Sequence, residues 1–420
     1  MTRYPNLPPR AVILSFEGPD RYSMVGGLGV RTTELATALD QAGIDVEFFF
    51  IGDPNAGHAE RRGRVTLRRW CQWISAHHPA GVYDGEAGKI ADLASSAPPV
   101  VIDEIVAPAA ARGERVLVLA EDWQVVPAVL RLDALLRERG LRDSAIIAWN
   151  ANNTYGFDTI DFDELARAAT ITCVSRYMKF ELALLGAQAL VIPNGVPARI
   201  FDEIRSADVA YVRRLVSQRP MYLKIGRFDP DKRWMQAIDA VAELNAAGAH
   251  AQLVVRGGKE PYGHAVLERA RLRGLTVGDI ALPEPTLESI ASAIGTAAED
   301  VVNIRTFVPD TLLFTLYGAA EAVLANSGKE PFGLVGLEVM AAGGVAVVGS
   351  TGEDYARGFE NALVCDSDDP AELASYLHRL RNDGALRERI HERGPETARA
   401  FAWPNVMDIL DAKIAYAASR

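Results

Sequence analysis

The chain has 420 residues, enough for two large domains or three small ones, and its 49% hydrophobic and 24% charged residues suit a protein with a sizeable buried core. That composition excludes a disordered, collagen-like or disulfide-scaffold chain. A net charge of −11 argues against a surface built to coat nucleic acid or an anionic membrane, so no nucleic-acid partner is expected.

Cys71, Cys173 and Cys365 are too widely separated for a metal knuckle or a disulfide framework, which favours a reducing, cytoplasmic setting. The apolar segment Ala11–Phe16 is too short for a signal-peptide core. The longest apolar run, Gly333–Ser350, carries Glu338 and Gly343-Gly344, and it reads as a buried helix followed by a strand. No transmembrane segment is expected, which leaves room only for weak peripheral contact with a membrane.

In chain order, short β-rich runs alternate with helical patterns, the signature of βαβ units and parallel sheets. Strands are predicted at Ala11–Phe16, Ile44–Ile51, Arg115–Ala120, Ala145–Trp149, Thr170–Val174 and Ala189–Ile192, with a helix over Val30–Ala42. The basic aromatic stretch Arg61 to Trp73 reads as a solvated helix face. After the turn Pro193-Asn194-Gly195 comes a polar helix, Asp202–Gln218, and then a second α/β domain. Its strands are predicted at Met221–Ile225, Gln252–Arg256, Val301–Phe307, Ala322–Asn326, Val345–Gly349 and Ala362–Cys365. A helical tail over Ala371–Ser419 is interrupted at Pro395 and Pro404. Ligands of such folds sit at the carboxyl ends of the strands, here in a cleft between the two domains.

Three segments in strand-to-helix positions carry candidate chemistry. In Asn326-Ser-Gly-Lys-Glu330-Pro-Phe-Gly333-Leu334, Pro331 biases Glu330 to an extended conformation, and Gly333 opens a helix whose first N–H groups form an anion site. Glu338 is the odd residue on that helix, since its neighbours Leu334, Val335, Ala341 and Ala342 are apolar. It either binds the hydroxyls of a ribose, or pairs with a core arginine or caps a backbone turn. In Gly226-Arg227-Phe-Asp229-Pro-Asp231-Lys232, Arg227 and Lys232 either meet a diphosphate or form a solvated surface pair. The loop Gly26-Gly27-Leu28-Gly29 lacks the spacing of a dinucleotide fingerprint and is either a tight turn or a phosphate approach. Asp161/Asp163 and Asp366/Asp368 have DxD spacing but read as helix caps, and no metal site is expected.

Together these segments resemble the retaining nucleotide-sugar glycosyltransferases of family 4, related to the glycogen synthase group. Glu330 and Glu338 match that family's paired glutamates, Arg227 and Lys232 its GR…K element, Gly26-Gly27 its N-terminal glycine loop, and Ser175–Val196 its VS…LG…VIPNGV segment. The resemblance implies a GT-B fold, two Rossmann-like domains with parallel sheets facing a central cleft. An acceptor-side domain would cover 1–200 and a nucleotide-sugar domain 201–403, with a helix at 404–420 packing back on the first.

It implies transfer of a sugar from a nucleoside-diphosphate sugar to an acceptor hydroxyl with retention, without metal or other cofactor. Arg227, Lys232 and Glu330 would be catalytic, and Gly26, Gly27, Gly333, Leu334 and Glu338 would bind the donor. The family's first-domain histidine is replaced here by the stretch Glu121-Asp122-Trp123. Glu121 and Asp122, with Asn150, Asn152 and Asn153, are therefore candidate sugar or acceptor contacts. An epimerase on the same architecture and a non-catalytic sugar-nucleotide sensor are the alternative readings.

Overall fold

The computed structural model describes residues 3–418. The chain divides into two compact units, Met1–Gly195 with Trp403–Arg420, and Val196–Ala402. The first unit thus ends inside the Pro193–Val196 turn, ahead of the 200/201 boundary drawn at the polar helix.

The first unit is built on one sheet. Its strands are β1 (Arg10–Ser15), β2 (Asp45–Ile51), β3 (Ala59–Arg62), β4 (Val65–Trp70), β5 (Val116–Glu121), β6 (Ala145–Ala151), β7 (Thr170–Cys173) and β8 (Leu190–Val191). They lie in the order β3-β4-β2-β1-β5-β6-β7-β8, and only the β3–β4 pair is antiparallel. β5 and β6 are buried along their whole length, and both are continuous apolar runs up to Glu121 and Asn150. The helix Gly27–Gln41 follows β1 and packs Leu35 and Leu39 into this core.

The hairpin β3–β4 replaces the expected helix face. Val65, Leu67 and Arg69 alternate inward with period two, and Arg69 is buried because Asp20 and Glu60 accept from its guanidinium at 2.6 to 3.0 Å.

The second unit carries β9 (Met221–Ile225), β10 (Gln252–Arg256), β11 (Val277–Ile280), β12 (Val301–Ile304), β13 (Ala322–Ala325), β14 (Ala346–Val348) and β15 (Leu363–Val364). All run parallel in the order β11-β12-β10-β9-β13-β14-β15. β11 was not foreseen: Val277-Gly-Asp-Ile280 is an edge strand with little apolar signal. β12 stops at Ile304, so Phe307 stands exposed in the following loop.

Two helices, Arg199–Glu203 and Ser206–Leu215, replace the single one expected over 202–218. In the tail, helices cover Pro370–Asn382, Gly384–Ala400 and Trp403–Ala417. The breaks fall at Asp383 and at Phe401-Ala402, and Pro395 is carried inside a helix.

The last helix completes the first unit. Trp403, Val406, Met407, Leu410 and Ile414 join Leu35, Leu39, Leu119 and Ala148 in one core. Asp411 fixes the register by accepting from Asn6 N (2.8 Å), Asn6 Nδ2 (2.7 Å) and Leu7 N (3.2 Å). Asp411→Ala strands these donors and should lower unfolding stability by about 1–3 kcal/mol, whereas Asp411→Asn keeps one acceptor and should lose less. Denaturant melts of the three proteins check this. Equal midpoints would mean that the apolar face alone docks the helix.

Candidate functional site

Each sheet has a switch point where chain direction across the sheet reverses, and loops leaving the two central strands part to leave a crevice. In the second unit these strands are β9 and β13. The loop after β9 carries Arg227 and Lys232, and the loop after β13 carries Asn326 to Gly333. The two segments singled out from sequence therefore meet at one place.

Lys232 Nζ donates to Glu330 Oε2 at 2.6 Å, with the two side chains 29% and 18% exposed. Further ties hold the loops together. Gly328 N donates to the Asp231 carbonyl at 2.7 Å. Thr351 Oγ1 accepts from Glu330 N at 3.1 Å and donates to the Gly328 carbonyl at 2.9 Å. Asp229 caps its own turn by accepting from Asp231 N. Arg227 is exposed, its backbone carbonyl held by Trp234 Nε1 at 2.8 Å, and among the described residues its guanidinium forms no salt bridge.

The helix Leu334–Ala341 begins beside the pair. Gly333 is its N-cap at φ 79°, ψ 55°, no side chain caps it, and its first turn holds no acidic residue. A Cβ on Gly333 would lie 2.7 Å from Glu353 Cγ, so glycine is required by space as well as by φ. Open N–H donors at a helix start favour an anion, and two cations stand in the adjoining loop. Glu338 shares the half-buried face of this helix with Leu334 and Val335 rather than entering the core, which removes much of the burial cost expected for it.

In the first unit the switch point lies between β1 and β5. Here the glycine loop is occupied by the protein's own carboxylate. Glu17 Oε2 accepts from Val25 N (3.2 Å), Gly26 N (3.0 Å) and Gly29 N (3.0 Å), and Tyr83 donates its hydroxyl to Oε1. Gly29 is needed for this approach, since a Cβ there would lie 2.9 Å from Glu17 Oε2. The amides of Gly26 and Gly29, at the start of the Gly27–Gln41 helix, are thus filled from within.

Glu121 is also engaged internally. It pairs with buried Arg31 (Nε to Oε2, 2.9 Å) and accepts from Asn150 Nδ2 (3.0 Å) and Asn152 Nδ2 (2.8 Å). Thr172 donates to Asn150 Oδ1 at 2.9 Å, and Arg31 also donates to Asn194. Asp122 sits at φ 75°, ψ 175°, a conformation that costs a non-glycine residue about 1–3 kcal/mol, and is held by Trp123 N at 3.0 Å and by Asn153 Nδ2. Burial, with Glu121 and Glu17 adding repulsion, pushes its carboxyl up to about 8 against the pull of those two donors.

Asp161 caps its helix by accepting from Glu164 N, as its sequence position implies. Asp366 and Asp368 do not cap. Asp369 takes that role through Ala371 N, and Asp368 pairs with Arg233. Among the described residues no group of three His, Cys, Asp or Glu is placed to hold a metal ion.

Four residues of these sites were not foreseen: Glu17, Arg31, Lys224 and Glu353. Lys224 carried a signal, a lone charge in the apolar strand Met221-Tyr-Leu-Lys-Ile225. Glu17, Arg31 and Glu353 become notable only through partners distant in sequence. Glu353 is 8% exposed, and neither carboxyl oxygen has a hydrogen-bond partner. Burial and the nearby Glu330 push it well above the usual carboxylate range, opposed in part by Lys232.

With the geometry in place, comparison with known proteins gives a consistent class. Residues 212–397 match the family model described as glycosyl transferases group 1. The D-inositol 3-phosphate glycosyltransferase of Thermomonospora curvata is 31% identical over 206 residues, 47% of this chain and 43% of that one, so the chain spans less than half of this relative. Sucrose-phosphate synthase from Thermosynechococcus elongatus superposes with TM-score 0.67 at 20% identity over 96% of this chain and 98% of that one. The catalytic domain of starch synthase IV from Arabidopsis thaliana, bound to ADP and acarbose, gives TM-score 0.69 at 15% identity over 99% and 100%. The fold, two parallel-sheet α/β units, is that of GT-B glycosyltransferases.

Asp122 yields a pH test of the first-unit network. Its folded pKa lies above the unfolded value of 3.8, so the folded state holds the extra proton between those values and stability falls as pH rises from about 4 to about 8. Asp122→Asn cannot titrate and should lose that part of the slope. Melts from pH 4 to 9 that keep the wild-type slope in the variant would show that Asp122 is ionised in the fold.

Proposed function

We propose that the protein is a glycosyltransferase that moves a sugar from a nucleoside-diphosphate sugar to an acceptor hydroxyl with retention of configuration, without a metal ion or other cofactor. The observation that carries this reading is the Lys232–Glu330 pair at a topological switch point, beside an uncapped helix start and the free guanidinium of Arg227. All of it lies within the segment that matches the glycosyl transferases group 1 model.

The chemistry follows from where charge develops. As the bond between sugar and diphosphate breaks, negative charge grows on the departing phosphate. Preorganised cations and N–H groups lower the barrier because they bind that charge more strongly than the ground state. Arg227 offers a planar fork, Lys232 a mobile point charge, and Gly333-Leu334 the open amides. When the diphosphate draws Lys232 away, Glu330 is left to accept hydrogen bonds from hydroxyls of the transferred sugar. Glu338, on the half-buried face of the same helix, would hold the ribose.

The N-terminal unit would receive the acceptor. A small polyol or sugar, free or phosphorylated, heads the panel because the matched relatives are named for inositol phosphate and sugar phosphates. A cytoplasmic location suits Cys71, Cys173 and Cys365, all free and buried. No helix among the described residues is long and apolar enough to cross a membrane.

The test is release of free nucleoside diphosphate from a panel of donors with and without acceptor. Release should need both substrates and survive excess EDTA. Release without acceptor, or loss on chelation with rescue by Mg²⁺ or Mn²⁺, would contradict the reading. Arg227→Ala should lower kcat as well as raise KM, by about 10² to 10³ in rate, and Arg227→Lys should recover little of it. An Arg227→Ala protein with wild-type kcat would return that residue to the solvated surface.

A further inference from the structure

A buried lysine lies close to the donor site. Lys224, near the carboxyl end of β9, is 2% exposed, in a strand where an apolar residue would avoid the cost of burying an ammonium. Its place is where the central strands part. The β9–β13 ladder pairs Ala322 with Tyr222 and Val323 with Leu223 and then ends. β9 stays paired with β10 through Arg256 and Ile225, and β13 with β14 through Ala325 and Val348.

Across that parting the Lys224 side chain takes over from the backbone. Nζ donates to the Leu324 carbonyl at 3.0 Å and to Asn326 Oδ1 at 2.6 Å. Asn326 is the first residue of the loop that carries Glu330, and its Nδ2 is anchored in turn on Gln236 Oε1 at 2.7 Å. On the other side Nζ lies 5.1 Å from the centre of the Trp234 ring, whose Nε1 holds the backbone carbonyl of Arg227. One amine thus touches an anchor of each of the two loops that bring Lys232 to Glu330.

We propose that Lys224 is a positioning residue of the donor site, setting the separation of the two loops so that Lys232 and Glu330 meet. It touches no substrate and acts through the two loops. The inference rests on the donor-site reading above. Burial, reinforced by Lys232 and Arg233 and opposed by Cys365 and Glu330, holds its ammonium well below the usual lysine range, as a site enclosed on every side requires.

The test is a double-mutant cycle on ligand binding. Calorimetry gives the Kd of UDP, ADP and GDP for the wild type, Glu330→Gln, Lys224→Met and the double variant. In the wild-type background Glu330→Gln frees Lys232 for the phosphates and should tighten binding about threefold or more. In the Lys224→Met background, where the loops are no longer held in register, the same change should move Kd less than about twofold. Should Lys224→Met fail to fold, Lys224→Met with Asn326→Leu removes both partners of the main tie and takes its place in the cycle. Equal effects of Glu330→Gln in the two backgrounds would overturn the positioning role and leave the donor site standing. Failure of the wild type to bind any of the three nucleotides would overturn the donor-site reading and this inference with it.

Discussion

The Lys232–Glu330 contact is the interaction on which the functional account depends, and it exists because of a constraint on parallel sheets. Neighbouring strands that send their chains to opposite sides of a sheet cannot keep their loops together, so a crevice opens at their carboxyl ends. In the second unit that crevice lies between β9 and β13, and it holds charges of both signs 2.6 Å apart. A partly buried pair of this kind is weak evidence for stability, because desolvation offsets the attraction. On the proposed reading its value lies in exchange: an incoming diphosphate would take the ammonium, and the carboxylate would turn to hydroxyls.

The two switch points solve the same problem differently. Both place a glycine at the start of a helix that follows a central strand. In the first unit Glu17 fills the amides, and Arg31, Glu121 and Asn150 fill one another's hydrogen-bonding capacity. In the second unit the helix start is left open beside Arg227 and Lys232. An uncapped helix start and two cations thus stand together at one sheet edge, the arrangement that a site for an anionic leaving group would require.

The strands were legible because buried parallel strands must be apolar nearly throughout, and Ala11–Leu14, Val116–Ala120 and Val345–Val348 announce themselves in that way. The hairpin β3–β4 was hidden by its arginines. Arg69 belongs to the inward row only because Asp20, 49 positions earlier, neutralises it, and no local pattern carries that information. Of the candidate site, Arg227, Lys232 and Glu330 were visible as polar residues in strand-to-helix loops. Their mutual contact was not, since it depends on β9 and β13 being neighbours. Glu121 was visible too, but whether its carboxylate faces a ligand or an arginine turns on Arg31, 90 positions away.

The most direct measurement is a crystal structure of the protein with a bound nucleoside-diphosphate sugar. The account predicts phosphate oxygens within hydrogen-bonding distance of Lys232 Nζ, the Arg227 guanidinium and the amides that open the Leu334–Ala341 helix, with Glu330 released from Lys232 and facing sugar hydroxyls. Phosphates bound elsewhere on the chain while the Lys232–Glu330 pair stays intact would contradict it.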